Sequence, residues 1–305
     1  MGINLHREPE LKEPVLIACW SGIGNIGLIA GDTLRRMVEA EEFGEIEPQD
    51  FFYPKKVLII NGEIVDLEFP GNKFYFKRME KRDLIFFIGE EQPTLGEKVY
   101  AEGTKAYQMA NLVLDVAEKF GCKRIYTSGA AVAPIHHTLM SRVWAVSNKI
   151  NLIPEIKNYK NIVLMSDIER REGQGNISGL NGLLLGVAQK RDIEAICVMG
   201  EIPAYLQGFP IVYPKASKAV LEVLTAALEI TIDMSEITEF AERSDSKIDS
   251  LYQKLPIEAR EQLDRLKYVT FTSASEPQAI TEDDKKKILE DVDKFFKEKA
   301  GENEN

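Results

Sequence analysis

The stretch VLIACWSGIGNIGLIAGDTLRRMVEA, residues 15–40, reads as a buried strand, a glycine-rich turn and a helix. Within it Gly22, Gly24 and Gly27 carry the spacing G-x-G-x-x-G. That spacing serves either a bound dinucleotide or a tight strand-to-helix corner. A dinucleotide fingerprint also needs an acid at the end of the next strand, about 20 residues on, to hold a ribose. Glu45, Glu47 and Asp50 lie near that distance, but Pro48 interrupts FGEIEPQDFF, and no acid-terminated strand–helix–strand unit emerges. Asn25 tolerates left-handed backbone geometry, so conformation alone accounts for the turn. The corner is the better reading.

Outward from this corner the same pattern recurs. KKVLIINGEIVDLEF sets Asn61-Gly62 between two β-branched runs, the signature of a type I′ hairpin. NKFYFKRME alternates as a strand, and DLIFFIG is continuously apolar, as a strand covered on both faces should be. A helix is expected from about residue 97 to 120, with Tyr107, Ala110, Leu114 and Ala117 on one face and Gly121 as its stop. KRIYTSGAA, RVWAVSN, NIVLMSD and IEAICVMGE are further strands; GNISGLNGLLLGVAQKRD and SKAVLEVLTAALEI are further helices. The alternation predicts an α/β fold, a mainly parallel sheet flanked by helices with an antiparallel hairpin attached. These elements fill a core domain over residues 14–234. From 235 to 300 polar helical segments take over, and residues 301–305 read as a disordered tail. Ile288, Leu289, Val292, Phe295 and Phe296 form an apolar stripe there, which must pack on its own body or on a partner protein.

Composition narrows the class of function. The 305 residues carry 38 Lys and Arg against 49 Asp and Glu, a formal net charge of -11. Such a protein repels nucleic acid and anionic membranes at long range, and neither is an expected partner. No apolar segment reaches the roughly 18 residues of a membrane span. Cys19, Cys122 and Cys197 are far apart, without a CxxC pair or an apolar leader, which points to reduced thiols and a cytoplasmic protein.

EPVLIACWSGIGNIGLIAGDTL followed by EIEPQDFF resembles the opening of the proteasome assembly chaperone 2 family, in its archaeal and bacterial branch. The resemblance continues through DLIFFIGEEQPT, RIYTSGAAVAPIHH, GNISGLNGLLLGVAQKRDIEAICVMGEIPAYLQGFP and SKAVLEVLTAALEITID, in order, over residues 14–233. It implies a three-layer α/β/α fold similar to that of nucleoside phosphorylases, assembled into homo-oligomers. It also implies protein partners: proteasome subunits, or a companion assembly protein that itself contacts them. Some members dock through a C-terminal hydrophobic-Tyr-any tripeptide, whereas this sequence ends Asn303-Glu304-Asn305.

An enzyme is the competing expectation. In a parallel α/β sheet, ligands gather beyond the carboxyl ends of the strands. The polar groups expected in that crevice are Ser21, Gly22, Gly24 and Asn25, then Glu90, Glu91 and Gln92, then Ser128 and Glu201. A small-molecule or nucleotide-processing activity, of the ATP-grasp carboligase or phosphorylase type, would use them. The lysines over phosphates and carboxylates on Mg²⁺ that a carboligase requires form no recognisable set, and no G-x-S-x-G elbow is present. EGQGNISGLNG, residues 172–182, offers a helix amino end that suits an anion or simply feeds a packed helix. His136-His137 has no third ligand at metal spacing and reads as a surface or loop pair. The sequence therefore favours a non-enzymatic protein without cofactor or metal, its alternatives being the crevice enzyme and a scaffold unrelated to proteasomes.

Overall fold

Apolar runs and amphipathic helices alternate along this chain, and they fold into a nine-stranded sheet covered on both faces. The computed structural model describes residues 2–94, 103–164 and 176–268. In chain order the strands are β1 (Ile3–Leu5), β2 (Val15–Trp20), β3 (Glu41–Ile46), β4 (Lys56–Ile60), β5 (Glu63–Glu68) and β6 (Asn72–Lys77). They continue with β7 (Leu84–Gly89), β8 (Arg124–Ala133), β9 (Val143–Ser147), β10 (Ile162–Leu164) and β11 (Glu194–Pro203). The helices are α1 (Ile26–Met37), α2 (Gly103–Lys119), α3 (Ile153–Ile156), α4 (Gly179–Lys190), α5 (Pro214–Leu228), α6 (Ser235–Tyr252) and α7 (Ile257–Asp264).

The order across the sheet is β1-β3-β6-β7-β2-β8-β11-β9-β10. Its centre, β7-β2-β8-β11, is parallel, as expected of continuously apolar strands buried on both faces. The wings turn antiparallel: β6 runs against β7 and β3 on one side, and β9 against β11 on the other. In β2 every residue is buried, and the alternation of the pleat divides them. Leu16, Ala18 and Trp20 pack with α2 and α4; Val15, Ile17 and Cys19 pack with α1 and α5. The result is the three-layer α/β/α arrangement. The helical C-terminal region is present as α6, whose Ile237 and Ile248 join the α1–α5 side, and α7, whose Leu263 packs with Tyr205 and Tyr252. Burial raises all three thiols, Cys19, Cys122 and Cys197, to about 12, so they are unreactive neutral groups in the core.

The helix expected from residue 97 is α2 within the described residues, and Gly121, at φ +75°, stops it. The stripe of Ile288, Leu289, Val292, Phe295 and Phe296 and the tail at 301–305 lie outside the described residues.

The Asn-Gly hairpin forms as the sequence requires, with Asn61 at φ 53° and Gly62 at φ 85°. It does not join the main sheet: β4 and β5 pair only with each other among the described residues. Both strands are largely exposed, including Val57, Ile59, Ile60, Ile64, Val65 and Leu67.

Candidate functional site

At the carboxyl ends of β2 and β8 a cavity of about 180 Å³ opens between the amino ends of α1 and α4. The position follows from topology. β2 leads into α1 on one face of the sheet, whereas its neighbour β7 leads to α2 on the other, and the sheet parts where the connections diverge. Trp20, Ser21, Gly22, Gln92, Trp144 and Asn181 are among its walls. Its volume lies below the roughly 300–1,000 Å³ of typical small-molecule sites.

The glycine corner forms one wall, and its glycines have separate reasons to be there. Gly22 is extended at φ -177°, with its nearest neighbour, the Gln92 amide, 3.8 Å from where a Cβ would sit. Gly24 and Asn25 are left-handed, at φ 61° and 50°, and turn the chain into α1. Gly27 lies against β8: a Cβ there would stand 2.2 Å from the Ser128 carbonyl oxygen. The turn is thus explained by backbone geometry and helix-to-strand packing.

The α4 amino end, an anion site by orientation, is already occupied. The Gln92 side chain accepts a hydrogen bond from the Leu180 N–H at 3.0 Å and donates to the Ser21 carbonyl at 2.7 Å. Gln92 therefore stitches α4 to the end of β2. Of the residues expected in a crevice, Ser21, Gly22 and Gln92 line this cavity. Ser128 is buried behind it, 3.1 Å from the Cys19 thiol and donating to the Gly27 carbonyl. Glu90 and Glu91 turn toward the foot of the hairpin, where Lys55 reaches them at 2.9 and 3.7 Å. The Lys55 ammonium and the Gly71 N–H hold the Glu90 carboxyl below the usual range. Glu201, 1% exposed, accepts from the Arg142 guanidinium at 2.7 and 3.0 Å and from the Trp144 indole at 2.6 Å. The carboxylates are drawn to three different cations and donors, not gathered around one reacting atom. Among the described residues, no group of three or more His, Cys, Asp or Glu could hold a metal ion, and no helix is long and apolar enough to cross a membrane.

His136 and His137 require a correction. The pair lies in the loop after β8, but both side chains are buried, with ring centroids 4.2 Å apart. Off the strand, consecutive side chains need not face opposite sides, and both rings turn inward beneath α6 and α7. The His137 N–H donates to the Tyr205 hydroxyl at 2.7 Å. The hydroxyl then donates to His137 Nδ1, at 2.6 Å, leaving Nε2–H to bond Asp249 of α6 at 2.8 Å. Lys215, paired with Asp245, caps the His137 carbonyl; His136 faces Tyr252 edge-on, with Asp264 at 3.6 Å and Lys267 beyond it. His137 is bonded at both ring nitrogens, whereas His136 is bonded through Nδ1 to the Thr138 hydroxyl at 2.8 Å and its buried Nε2 has no hydrogen-bond partner. Burial and the neighbouring imidazole push His136 down to about 4, and burial lowers His137 despite Asp249.

A pH dependence follows. Both histidines bind protons near pH 6.5 when unfolded but resist protonation when folded, so the unfolded state holds more protons below that value. Stability is full above about pH 6.5 and is lost as pH falls from there toward 4. Urea midpoints at pH 7.5 and 5.0 should differ more for the wild type than for His136→Asn. Equal differences would remove the pair from the account.

Sequence reasoning missed two features of this end of the molecule. The histidine clasp gave no local signal, since its partners Tyr205, Asp249 and Tyr252 lie on distant elements. The hairpin's apolar surface was signalled, because KKVLIINGEIVDLEF places apolar residues at adjacent as well as alternate positions.

Comparison with known proteins gives one concordant result. The family model described as the PAC2 family matches residues 16–252. An uncharacterized protein of Methanocaldococcus jannaschii is 28% identical over 244 residues, 79% of this chain and 84% of that protein. The crystal structure of Pyrococcus furiosus PbaB, described as an archaeal proteasome activator, superposes with a TM-score of 0.68 at 28% identity, covering 82% of this chain and 98% of PbaB. Pyrococcus furiosus PbaA, described as an archaeal homolog of proteasome-assembly chaperone, gives 0.60 at 20% identity over 86% and 96% of the two chains, a likeness of fold.

Proposed function

This chain belongs to the PAC2 family, and from that premise we propose that it is a non-enzymatic, proteasome-assembly-chaperone-like protein. In this reading it works as a cytoplasmic homo-oligomer that presents a protein-binding surface, needs no cofactor, and takes proteasome subunits or a companion assembly protein as its partners. The observation that carries the reading is the likeness to PbaB, which spans nearly the whole of that protein at the higher identity. The geometry supports it from the other side. The strand-end carboxylates Glu90, Glu91 and Glu201 are engaged by Lys55, Arg142 and Trp144, and the α4 amino end is engaged by Gln92. Acid–base work needs a carboxyl group within reach of a substrate proton, and these groups are turned to the protein's own donors.

The test is a pull-down of the tagged full chain from its native cell extract, with bound proteins identified by mass spectrometry. Proteasome α-subunits, or a small companion protein that binds them, are expected in the eluate. Recovery of metabolic enzymes alone, or of nothing under conditions that preserve weak complexes, would overturn the reading.

A further inference from the structure

The cavity between the amino ends of α1 and α4 is small but chemically particular. Among the described residues, none of its walls carries a charged side chain. Glu90 and Glu91 are drawn off to Lys55, and Glu201, behind the Trp144 wall, is held by Arg142. An ion entering the cavity would give up hydration without meeting an opposite charge, which is costly. The occupant that fits is uncharged. Two of the buried polar atoms that lack a hydrogen-bond partner belong to these walls. One is the indole Nε1 of Trp20, a donor on a side chain only 2% exposed. The other is the carboxamide oxygen of Asn181, an acceptor in the first turn of α4. Buried polar groups are nearly always paired, so an orphaned donor and an orphaned acceptor on one cavity call for a common partner.

We propose that this cavity binds an uncharged single-ring molecule bearing an amide, whose carbonyl oxygen accepts from the Trp20 indole and whose N–H donates to Asn181. The site goes beyond the chaperone reading and does not depend on it. Volume sets the size. A cavity of about 150 Å³ takes one benzene ring, and this one, at about 180 Å³, has room for a ring and a small substituent. A nucleotide is too large and too charged. Polarity sets the substituent: it must offer both an acceptor and a donor without a charge, and an amide does so in one group. The amino ends of two helices favour the negative end of a dipole, here the carbonyl oxygen.

The walls suit a ring as well. Ile23, Ile26, Trp144 and Met199 supply apolar and aromatic surface, the usual lining of a small-molecule site. Glycines keep the space open. Gly22 is extended at φ -177°, and nothing comes within 3.8 Å of where its Cβ would stand. A Cβ on Gly129 would stand 2.6 Å from the Asn181 amide nitrogen, so this glycine lets Asn181 reach the wall.

The experiment follows the indole N–H resonances of the full chain, isotopically labelled at tryptophan, during titration with benzamide. The chain has two tryptophans, so two signals are expected, and Trp20→Phe assigns them. Benzamide should move the Trp20 signal downfield and saturate it in the millimolar range usual for so small a ligand. The Trp144 signal, already bonded to Glu201, should move less. Asn181→Leu keeps the side-chain size but removes the amide, and should weaken binding roughly three- to tenfold. Gly22→Val should abolish binding by filling the space, at an unchanged urea midpoint, because its backbone is extended and its surroundings are open. Benzoate, the same ring with a charge and no donor, and toluene, the ring without polar ends, should each bind weaker by about tenfold or more. A Trp20 signal that does not saturate overturns the proposal. So does binding that survives Gly22→Val or is unchanged in Asn181→Leu, since the ligand then lies elsewhere. Benzoate or toluene binding as tightly as benzamide overturns it too, because the cavity then selects an anion or any apolar ring.

Discussion

Gly27→Ala is expected to lower the unfolding free energy by about 3 kcal/mol, the upper end of what a single added methyl costs in a packed core. The methyl would sit 2.2 Å from the Ser128 carbonyl oxygen and 2.6 Å from its carbon, both backbone atoms of the central strand β8. No rotamer change relieves a clash with backbone. Ordinary contact begins near 3.4 Å, so α1 would have to withdraw by about 1 Å from β8. Withdrawal would loosen Ile26, Ala30 and Leu34 from their cluster and stretch the Ser128–Gly27 hydrogen bond, now 3.2 Å. Gly186→Ala in α4 is the control. No atom lies within 4 Å of its added methyl, and helix propensity alone should stabilise the protein by about 0.5–1 kcal/mol. Urea unfolding of the two variants decides the matter: a Gly27→Ala loss below about 1 kcal/mol would mean the corner is looser than the close approach implies.

Glu201→Ala is expected to cost about 3–5 kcal/mol, the range for removing one partner from a buried ion pair. Glu201 sits near the carboxyl end of β11, and its carboxylate also accepts the Arg142 backbone N–H at 3.1 Å, besides the guanidinium and the Trp144 indole. Truncation takes away the acceptor shared by the buried Trp144 indole and the partly exposed Arg142, and each donor loses a charge-assisted hydrogen bond. Glu201→Gln keeps one acceptor oxygen but turns an NH₂ group toward other donors, so its loss should fall between wild type and Ala. The two readings of this end of the sheet differ in what the substitution does. A structural Glu201 makes the Ala variant less stable across the whole denaturation curve. A crevice base would leave stability nearly intact and affect ligand binding, and a midpoint within experimental error of wild type would favour that alternative.

The parts of the fold that were legible in the sequence are those decided by local pattern. Continuous apolar runs identified β2, β7 and β11 as strands buried on both faces, and Asn61-Gly62 identified its turn because few other dipeptides accept two positive φ angles. The glycine corner was legible for the same reason: Pro48 and the missing acid argue against a nucleotide from the sequence alone. Strand direction was less legible. Nothing local in RVWAVSN distinguishes a strand antiparallel to β11 from another parallel member, since the choice depends on how the connection crosses the sheet. The crevice illustrates a further limit. Polarity at strand ends pointed to Ser21 and Gln92, which line the cavity, but the partners of Glu90 and Glu201 come from residues 55 and 142, which only the tertiary fold brings near. The histidine pair failed for a related reason, because its burial is imposed by α6 and α7 arriving more than 100 residues later.

The central position of β2 has a consequence for how this protein is made. It leaves the ribosome before either of its neighbours in the sheet, as six consecutive residues that end up buried. Its neighbours in the sheet begin only at Leu84 and Arg124. At roughly 5–20 residues per second of synthesis, the strand waits on the order of 5–20 s before its second edge can be filled. Until Leu84–Gly89 has been made, both edges of this apolar segment are open, and one edge stays open until β8 follows. A protein read here as an assembly chaperone thus exposes, during its own synthesis, a strand edge of the kind that pairs with strangers.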